Sequence, residues 1–263
     1  ENPSLSYIVE SRLNRSLVGL VAGGGLAVAG LILQVYFRNP LAGPGVLGIT
    51  SGASLGVALI ILGGVTMKGV LGGLGLVTAG IVGAFCVLLL LLFIARFIKN
   101  QITLLVVGLM LGYFVSALVS VLFLLADQSE TREYVIWGLG SFDGLKNTEM
   151  YVFTLSILLA SFLAILLSKS LNALALGPEY ARSLGVNLKA FRLGVILVTS
   201  VIAALVTVYC GPISFIGIAV PQLVRLLTKS KNHAFIIPLC FVGGAVLGIS
   251  SDVLVRLSSN TLP

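Results

Sequence analysis

The residue types that most often carry out chemistry are scarce in this sequence and do not form a reactive set. Its three cysteines, Cys86, Cys210 and Cys240, fall within apolar segments without ligand spacing, so we expect buried side chains rather than a metal site or a disulfide. The only histidine, His233, follows the basic stretch TKSKN, and we expect it in a solvated loop. The sequence contains no HExxH motif, paired aspartates or serine–histidine set, which argues against an intramembrane enzyme.

Nucleotide-binding motifs are no more convincing. Gly43, Gly45 and Gly48 match G-x-G-x-x-G, but no strand precedes them and no acidic residue follows at the required distance. A Walker A motif is absent from the 263 residues. The sequence therefore predicts no bound cofactor, and any work done by this chain must draw on a partner protein or an ion gradient.

One polar segment, residues 172–189, interrupts a largely apolar chain in which only 10% of the residues are charged. Its charged residues include Glu179 and Arg182. Gly177 and Pro178 predict a break between two short helices, because proline suits the first turn of a helix and disrupts its interior. Gly185 is the expected C-terminal stop. A helix pair of this kind on one face of an apolar protein suggests contact with a soluble partner.

The elements that position these residues are predicted to be transmembrane helices. The mean hydropathy is +1.13, and apolar stretches long enough to cross about 30 Å of hydrocarbon recur along the chain. Leucine, valine and isoleucine dominate without period-2 alternation, which favours helices over a barrel. We predict a single all-α, polytopic transmembrane domain over residues 1–263 with eight spans: 17–37, 45–64, 70–95, 102–126, 150–168, 191–210, 212–228 and 234–256.

Charge in the loops predicts the orientation of these spans. With alternating crossings, one set of loops carries ten basic residues and one acidic residue, and the other carries six basic and eight acidic residues. The positive-inside rule places the first set in the cytoplasm and both chain ends outside. The net charge of +7 is thus explained by topology, and we predict no nucleic-acid partner.

Small residues and prolines indicate how the helices pack. Gly48, Gly52 and Gly56 follow one another at intervals of four, and the pairs 19/23, 108/112 and 244/248 repeat that interval. Such spacing allows helix backbones to approach closely in lipid. Pro212 and Pro221 interrupt the seventh segment, which predicts backbone buried in protein or lining a cavity.

Few charges fall inside the predicted spans. Asp252 and Arg256 form an i, i+4 pair near the outer end of the last span, and no acidic residue is expected at the midplane. This disfavours an ion-coupled carrier. Arg12 and Arg15 precede the first span; they are either interfacial anchors or a docking site for acidic side chains of an external protein.

Four ordered segments, RNPLAGPGVLGITSGASLG (38–56), WGLGSFDGL (137–145), LNALALGPEYARSLGV (171–186) and GPISFIGIAVPQLVRLL (211–227), resemble permease subunits of ABC importers for iron–siderophores, haem and vitamin B12, the type II or FecCD-like group. The resemblance covers essentially the whole chain. It implies ten helices, a second permease subunit (a copy or a paralogue), two cytoplasmic ATPase subunits, an extracytoplasmic binding protein and a location in the bacterial cytoplasmic (inner) membrane. It also implies that the chain itself is not an enzyme.

The resemblance assigns roles to three groups of residues. The coupling helices that contact the ATPase match residues 171–189, with the contact at Leu171, Leu174, Gly177, Pro178, Glu179, Arg182 and Gly185. Docking of the binding protein matches Arg12, Arg15 and Arg256. The cytoplasmic gate matches Asn39, Pro40, Leu41, Asn100 and Gln101.

The expected substrate is an iron chelate, either a siderophore complex or haem. A cobalamin importer and, from a different class, a secondary transporter or channel are the alternatives. The family's first and last helices have no counterpart in this sequence, Asn14 replaces a common proline, and Gln222 replaces a frequent histidine.

Overall fold

The computed structural model describes residues 3–63, 70–98, 100–143, 145 and 147–259. Within these ranges the chain forms eleven α-helices, one 3-10 turn (Pro44–Leu47) and no β-strand. The helices are α1 (Pro3–Phe37), α2 (Ile49–Ile61), α3 (Val70–Ala95), α4 (Gln101–Leu125), α5 (Gln128–Gly138), α6 (Asn147–Leu166), α7 (Ser168–Leu176), α8 (Pro178–Ser183), α9 (Leu188–Cys210), α10 (Ile216–Thr228) and α11 (His233–Ser259).

The all-α membrane fold predicted from the sequence is confirmed. Each of the eight predicted apolar segments contains one helix: α1, α2, α3, α4, α6, α9, α10 and α11. In the described part of the chain six of these are long and apolar enough to cross a membrane unaided, and α2 and α10 are the shorter ones.

The second predicted span is not one continuous helix, which corrects the sequence prediction. It opens with the 3-10 turn, and Gly48 then adopts a left-handed backbone (φ 73°) before α2 begins. The seventh segment opens with non-helical residues 211–215, in which Phe215 has a φ of 75°. Each remaining helix has 13 residues and is therefore about 20 Å long at 1.5 Å per residue.

The first helix, α1, lies at the centre of the protein. In the most apolar 18 residues of its stretch Glu10–Phe37, 83% of the residues are buried. The helix packs against α6, α7, α9, α10 and α11. Its contact with α11 requires glycine, because a Cβ on Gly23 would collide with the carbonyl of Gly244, and one on Gly244 with that of Gly23. Gly52 on α2 and Gly83 on α3 meet in the same way. The predicted close packing of small residues is confirmed.

Hydrogen bonds between distant residues assign the helix ends to two sides. On one side Arg192 joins the ends of α1 and α3, and Asn172 of α7 joins the start of α11. On the other side Arg15 of α1 bonds Asp252 near the end of α11. We call these the inner and outer sides, the inner being the one that the loop charges predict to be cytoplasmic. Four charges used in that count, Glu1, Lys68, Lys99 and Lys146, lie outside the described residues.

One helix, α5, was not predicted. It is a polar helix at the outer side, and a capping box between Asp127 and Glu130 starts it. Tyr134 holds it to α2 and α4, through a hydrogen bond of 3.5 Å to the Ser54 carbonyl and a ring contact with Phe123. The sequence D-x-x-E was the local pattern that could have revealed this helix.

Candidate functional site

The predicted pair of short helices is present on the inner side as α7 and α8, which we call the α7–α8 pair. Gly177 separates them with a positive φ of 139°, and Pro178 starts α8, as the sequence predicted. Gly185 also has the expected left-handed backbone, with a φ of 81° and open space where a Cβ would lie. The first helix begins at Ser168, three residues before the predicted start.

The α7–α8 pair has a buried apolar base and an exposed polar surface. Leu171, Leu174 and Ala181 are completely or almost completely buried. Glu179 and Arg182 lie on the exposed surface and form an ion pair of 2.9 Å between Oε1 and Nη1. Exposed apolar side chains surround this ion pair: Leu176, Tyr180 and Leu184. An exposed ion pair adds little stability, so this surface is free to exchange partners.

The base of α7 is fixed to α11 by a polar cluster that sequence reasoning missed. His233 is 5% exposed, which corrects the expectation of a solvated loop residue. Its backbone N–H donates to Asn172 Oδ1 at 2.9 Å, and its ring Nδ1 lies 2.6 Å from the same oxygen. Asn172 Nδ2 donates to Asn232 Oδ1. Asn232 also accepts from the N–H of Ala234 in the first turn of α11, so an asparagine cap preceding the helix was the available signal.

Two turns on the inner side contain the five predicted gate residues. In the first, Asn39 Oδ1 accepts from the N–H of Leu41 at 2.9 Å, and Leu41 is 70% exposed. In the second, Asn100 Oδ1 accepts from the N–H of Ile102 at 2.8 Å and so caps α4, whose first residue is Gln101. Both asparagines therefore shape their own turns.

A buried glutamine pair holds the first turn to α10. Gln34, 2% exposed, donates to the carbonyl of Ile218 at 3.1 Å. Gln222 donates to Gln34 Oε1 and to the carbonyl of Pro40, each at 3.1 Å. Gln222, the residue that replaces the histidine expected from the resemblance, therefore bonds the first of the two turns from α10. A glutamine in an otherwise apolar helix was the signal for Gln34.

On the outer side, Arg15 and Arg256 converge on one carboxylate. Arg15 Nε donates to Asp252 Oδ1 at 2.6 Å, and Arg15 Nη1 lies 3.2 Å from Asp143 Oδ2. Arg256 Nε lies 3.4 Å from the other oxygen of Asp252, so the expected i, i+4 pair is present, although Arg15 is the closer partner. Arg12 is exposed, and no ion pair involves it within the described residues.

Two further sequence predictions can be compared with the structure. Cys210 and Cys240 are buried, but Cys86 is exposed on α3, because α3 turns that face away from the protein.

Asn14, which stands where the resemblance leads us to expect proline, connects α1 to the start of α6. It donates to Asn147 Oδ1 at 2.7 Å, and Asn147 donates to Glu10 at 3.0 Å.

The all-helical, multi-pass fold matches that of an ABC permease, a protein of the bacterial inner membrane. The chain belongs to the FecCD transport family, whose model matches residues 1–263. Members of this family are permease subunits of ABC importers, which act with ATPase and partner permease subunits. The alternative of a secondary transporter or channel is thereby set aside.

Two curated relatives illustrate the range of the family. The hemin transport system permease protein HmuU of Yersinia pestis is 33% identical over 246 residues, which cover 93% of this chain and 73% of the relative. The vitamin B12 import system permease protein BtuC of Klebsiella pneumoniae is 34% identical over 253 residues, which cover 96% of this chain and 75% of the relative.

Solved structures show the same fold. A candidate metal-chelate type ABC transporter in an inward-facing conformation matches with a TM-score of 0.90 and 32% identity, over 99% of this chain and 82% of that one. PsaBC from Streptococcus pneumoniae, in complex with Fab, matches with a TM-score of 0.58 and 15% identity, over 95% and 82%. The second likeness concerns the fold alone.

Proposed function

We propose that this chain is the membrane-spanning subunit that carries an iron chelate, a siderophore complex or haem, across the cytoplasmic membrane. ATP hydrolysis in partner subunits drives the movement, and the chain itself carries out no covalent chemistry. Residues 1–263 act as one transmembrane domain, in which residues 171–189 form the contact with the ATPase subunit. A second permease subunit, a copy or a paralogue, completes the path.

The observation that carries this proposal is the form of the α7–α8 pair. Its base is rigid, because Leu171 and Leu174 are buried and Asn172 is bonded to α11. Its exposed surface combines the Glu179–Arg182 pair with exposed apolar side chains, a mixture typical of protein–protein contacts. A rigid base under an exchangeable surface is what a soluble motor needs in order to move the membrane helices.

The choice of an iron chelate over cobalamin has two supports. The structure with a TM-score of 0.90 is of a metal-chelate type transporter, and HmuU is a hemin permease. The cobalamin alternative is supported by BtuC, whose identity to this chain is equally high. Uptake measurements must decide between the two substrates.

We assign the predicted gate residues to the inner end of the transport path and the predicted docking arginines to its outer end. Two turns on the inner side form the cytoplasmic gate, and the first of them is linked to the α7–α8 pair through Arg38. The gate residues are Asn39, Pro40, Leu41, Asn100 and Gln101. Arg12, Arg15 and Arg256 form the docking site for the acidic side chains of an external binding protein. Arg12 is the arginine most available to such a partner, because it is exposed and Arg15 already bonds two carboxylates.

Reconstitution with the partner ATPase subunits and binding protein tests the function. Vesicles are loaded with ATP on the inner side, and uptake of a ferric siderophore, haem and cobalamin is compared. We expect ATP-dependent uptake of an iron chelate. Cobalamin uptake without iron-chelate uptake would favour the alternative, and uptake that persists without the ATPase subunits would contradict the proposal.

A pair of matched variants tests the coupling surface in the same vesicles. Replacing Glu179 and Arg182 together with alanine should weaken ATPase binding and abolish uptake. The control replaces Arg132 and Glu133 with alanine, since these are also exposed, oppositely charged residues of a short helix, but on the outer side. Equal losses in both variants would remove α7–α8 from the ATPase contact.

A further inference from the structure

Two arginines on the inner side donate hydrogen bonds to the backbone at the ends of other helices. Arg38, the residue after α1, donates from Nη2 to the carbonyl of Leu174 in α7 at 3.0 Å. Arg192, in the first turns of α9, donates from Nη1 to the carbonyls of Ala95 and Ile98, each at 2.6 Å. Its Nε donates to the Tyr36 hydroxyl at 3.0 Å.

The chemistry of both contacts favours a firm connection. The last carbonyls of a helix lack partners within that helix and carry partial negative charge. A guanidinium group is planar and stays protonated, so it can donate to two such carbonyls at once. Arg192 does this at and just after the end of α3. Arg38 donates to one carbonyl, that of Leu174 near the end of α7.

The positions of the two arginines link the α7–α8 pair to both gate turns. Arg38 directly precedes turn residues 39–41, and its acceptor lies three residues before the Gly177 break. Arg192 lies in α9, the helix that follows the α7–α8 pair, and its acceptor Ile98 lies two residues before Asn100. Arg38 thus connects α7 to the residue before the first turn, and Arg192 connects the start of α9 to residues just before the second turn.

The backbone of Arg38 gives independent support. Its φ is 50°, a left-handed conformation that non-glycine residues seldom adopt. Such a conformation persists where the surrounding contacts hold it. Here the side-chain bond to α7 lies on one side of the turn, and Gln222, which donates to the Pro40 carbonyl, lies on the other.

We propose that Arg38 and Arg192 are positioning residues that transmit movement of the α7–α8 pair to the gate, Arg38 to residues 39–41 and Arg192 to residues 100–101. This inference rests on the proposed function, in which an ATPase moves the α7–α8 pair. Arg192 also bonds Tyr36, which lies near the first turn, but ring contacts with Phe37 and Phe191 hold Tyr36 in place as well. We therefore expect Arg192 to act chiefly on the second turn.

Spin labels in the full complex with its ATPase subunits test the two links separately. With Cys86 replaced by serine, a cysteine is introduced at Leu41 or at Gln101 in both permease subunits and labelled. The distance between the two labels is measured with and without ATP. We expect Arg38→Met to lose the ATP-dependent change at position 41 and to keep it at position 101, and Arg192→Met to do the reverse.

The controls separate transmission from general damage. Arg96→Met removes an exposed inner-side charge that has no bond to a neighbouring helix in the described residues, and it should leave both changes intact. Arg38→Lys, which retains a positively charged donor group, should restore the change at position 41. If Arg192→Met does not assemble with the ATPase, Arg192→Gln is used, since it remains polar but is too short to reach both carbonyls.

The possible outcomes distinguish this inference from the function on which it rests. If the unsubstituted complex shows no ATP-dependent change at either turn, the proposed function fails and the links fail with it. If that complex responds but the arginine variants respond equally well, or lose both changes together, only the links are overturned.

Discussion

The arginines of the inner and outer sides use the same side chain for two kinds of contact. On the inner side, Arg38 and Arg192 donate to backbone carbonyls at helix ends. On the outer side, Arg15 donates to the carboxylates of Asp252 and Asp143. A carbonyl cannot leave its helix, whereas a carboxylate can be replaced by one from another protein. The inner contacts are thus suited to transmitting movement, and the outer ones to exchanging partners.

The helix α1 joins these two regions, so its packing should give the largest effect. Gly23→Leu would force a side chain against the Gly244 carbonyl, and overpacking commonly costs about 1–3 kcal/mol or more. We expect loss of monodisperse protein in detergent and thus loss of both regions at once. Gly138→Leu, at a helical glycine with open space around it, should purify normally. Normal yields of the Gly23 variant would show that α1 and α11 can separate.

A change at Gly185 should disturb the function of the inner region while the protein still folds. The Cβ added by Gly185→Val would meet no neighbouring atom, but the substitution strains a left-handed backbone at a cost of about 1–2 kcal/mol. We expect the α7–α8 pair to be mispositioned, so that reconstituted complexes hydrolyse ATP with little uptake. Gly138→Val, which has helical backbone, is the matched control. Unchanged uptake per ATP in the Gly185 variant would contradict the coupling role of this segment.

The outer region should respond differently at its two N-terminal arginines. Arg12→Glu should weaken association of the binding protein while the fold is retained, because Arg12 is exposed. Loss of one partner of a desolvated pair can cost about 2–5 kcal/mol. Arg15→Glu should also lower stability, because it places a third carboxylate beside Asp143 and Asp252.

Titration of binding protein onto immobilised permease, with thermal unfolding of each variant, measures both effects. The loss of binding in Arg12→Glu should shrink as salt rises, because exposed contacts are screened. Binding at full strength by both variants would leave these arginines as membrane anchors only.

The smallest effect is expected from Asp252→Asn. It removes the closer ion pair of Arg15, whose side chain is 18% exposed, while Asp143 remains as a partner. We expect a loss of about 1–2 kcal/mol and a weaker dependence of unfolding temperature on salt. Glu133→Gln, an exposed charge change on α5, is the control. The same salt dependence in the Asp252 variant would mean that the outer pair does not contribute to stability.

The fold and the α7–α8 pair could be predicted because their signals are local. Apolar length identified the membrane helices, and the Gly177–Pro178 break and Gly185 identified the short ones. The spacing of glycines at intervals of four within one helix indicated close helix packing, although not which helix would be the partner. In each case the residues that determine the structure are neighbours in the chain.

The arginine and histidine contacts could not be predicted because their partners are distant in sequence. Arg192 bonds carbonyls 94 and 97 residues away. Every residue has a backbone carbonyl, so the residue type at the acceptor position does not reveal the bond. His233 was misjudged because its neighbours in the chain are polar, whereas α7, some 60 residues earlier, covers it. The exposure of Cys86 depends on which side of α3 faces the other helices, and an apolar helix gives no periodic signal for that.

The two 13-residue helices, α2 and α10, have a consequence for how the chain enters the membrane during synthesis. A helix of about 20 Å leaves part of a bilayer to non-helical backbone, whose polar groups must find partners in protein. For α2, the neighbour is α3, whose glycines meet its own; for α10, it is α1, with the Gln34 contact. Neither short helix should therefore remain inserted by itself. A nascent chain halted directly after α2 should expose that helix to protease, and protection should appear only once α3 has emerged.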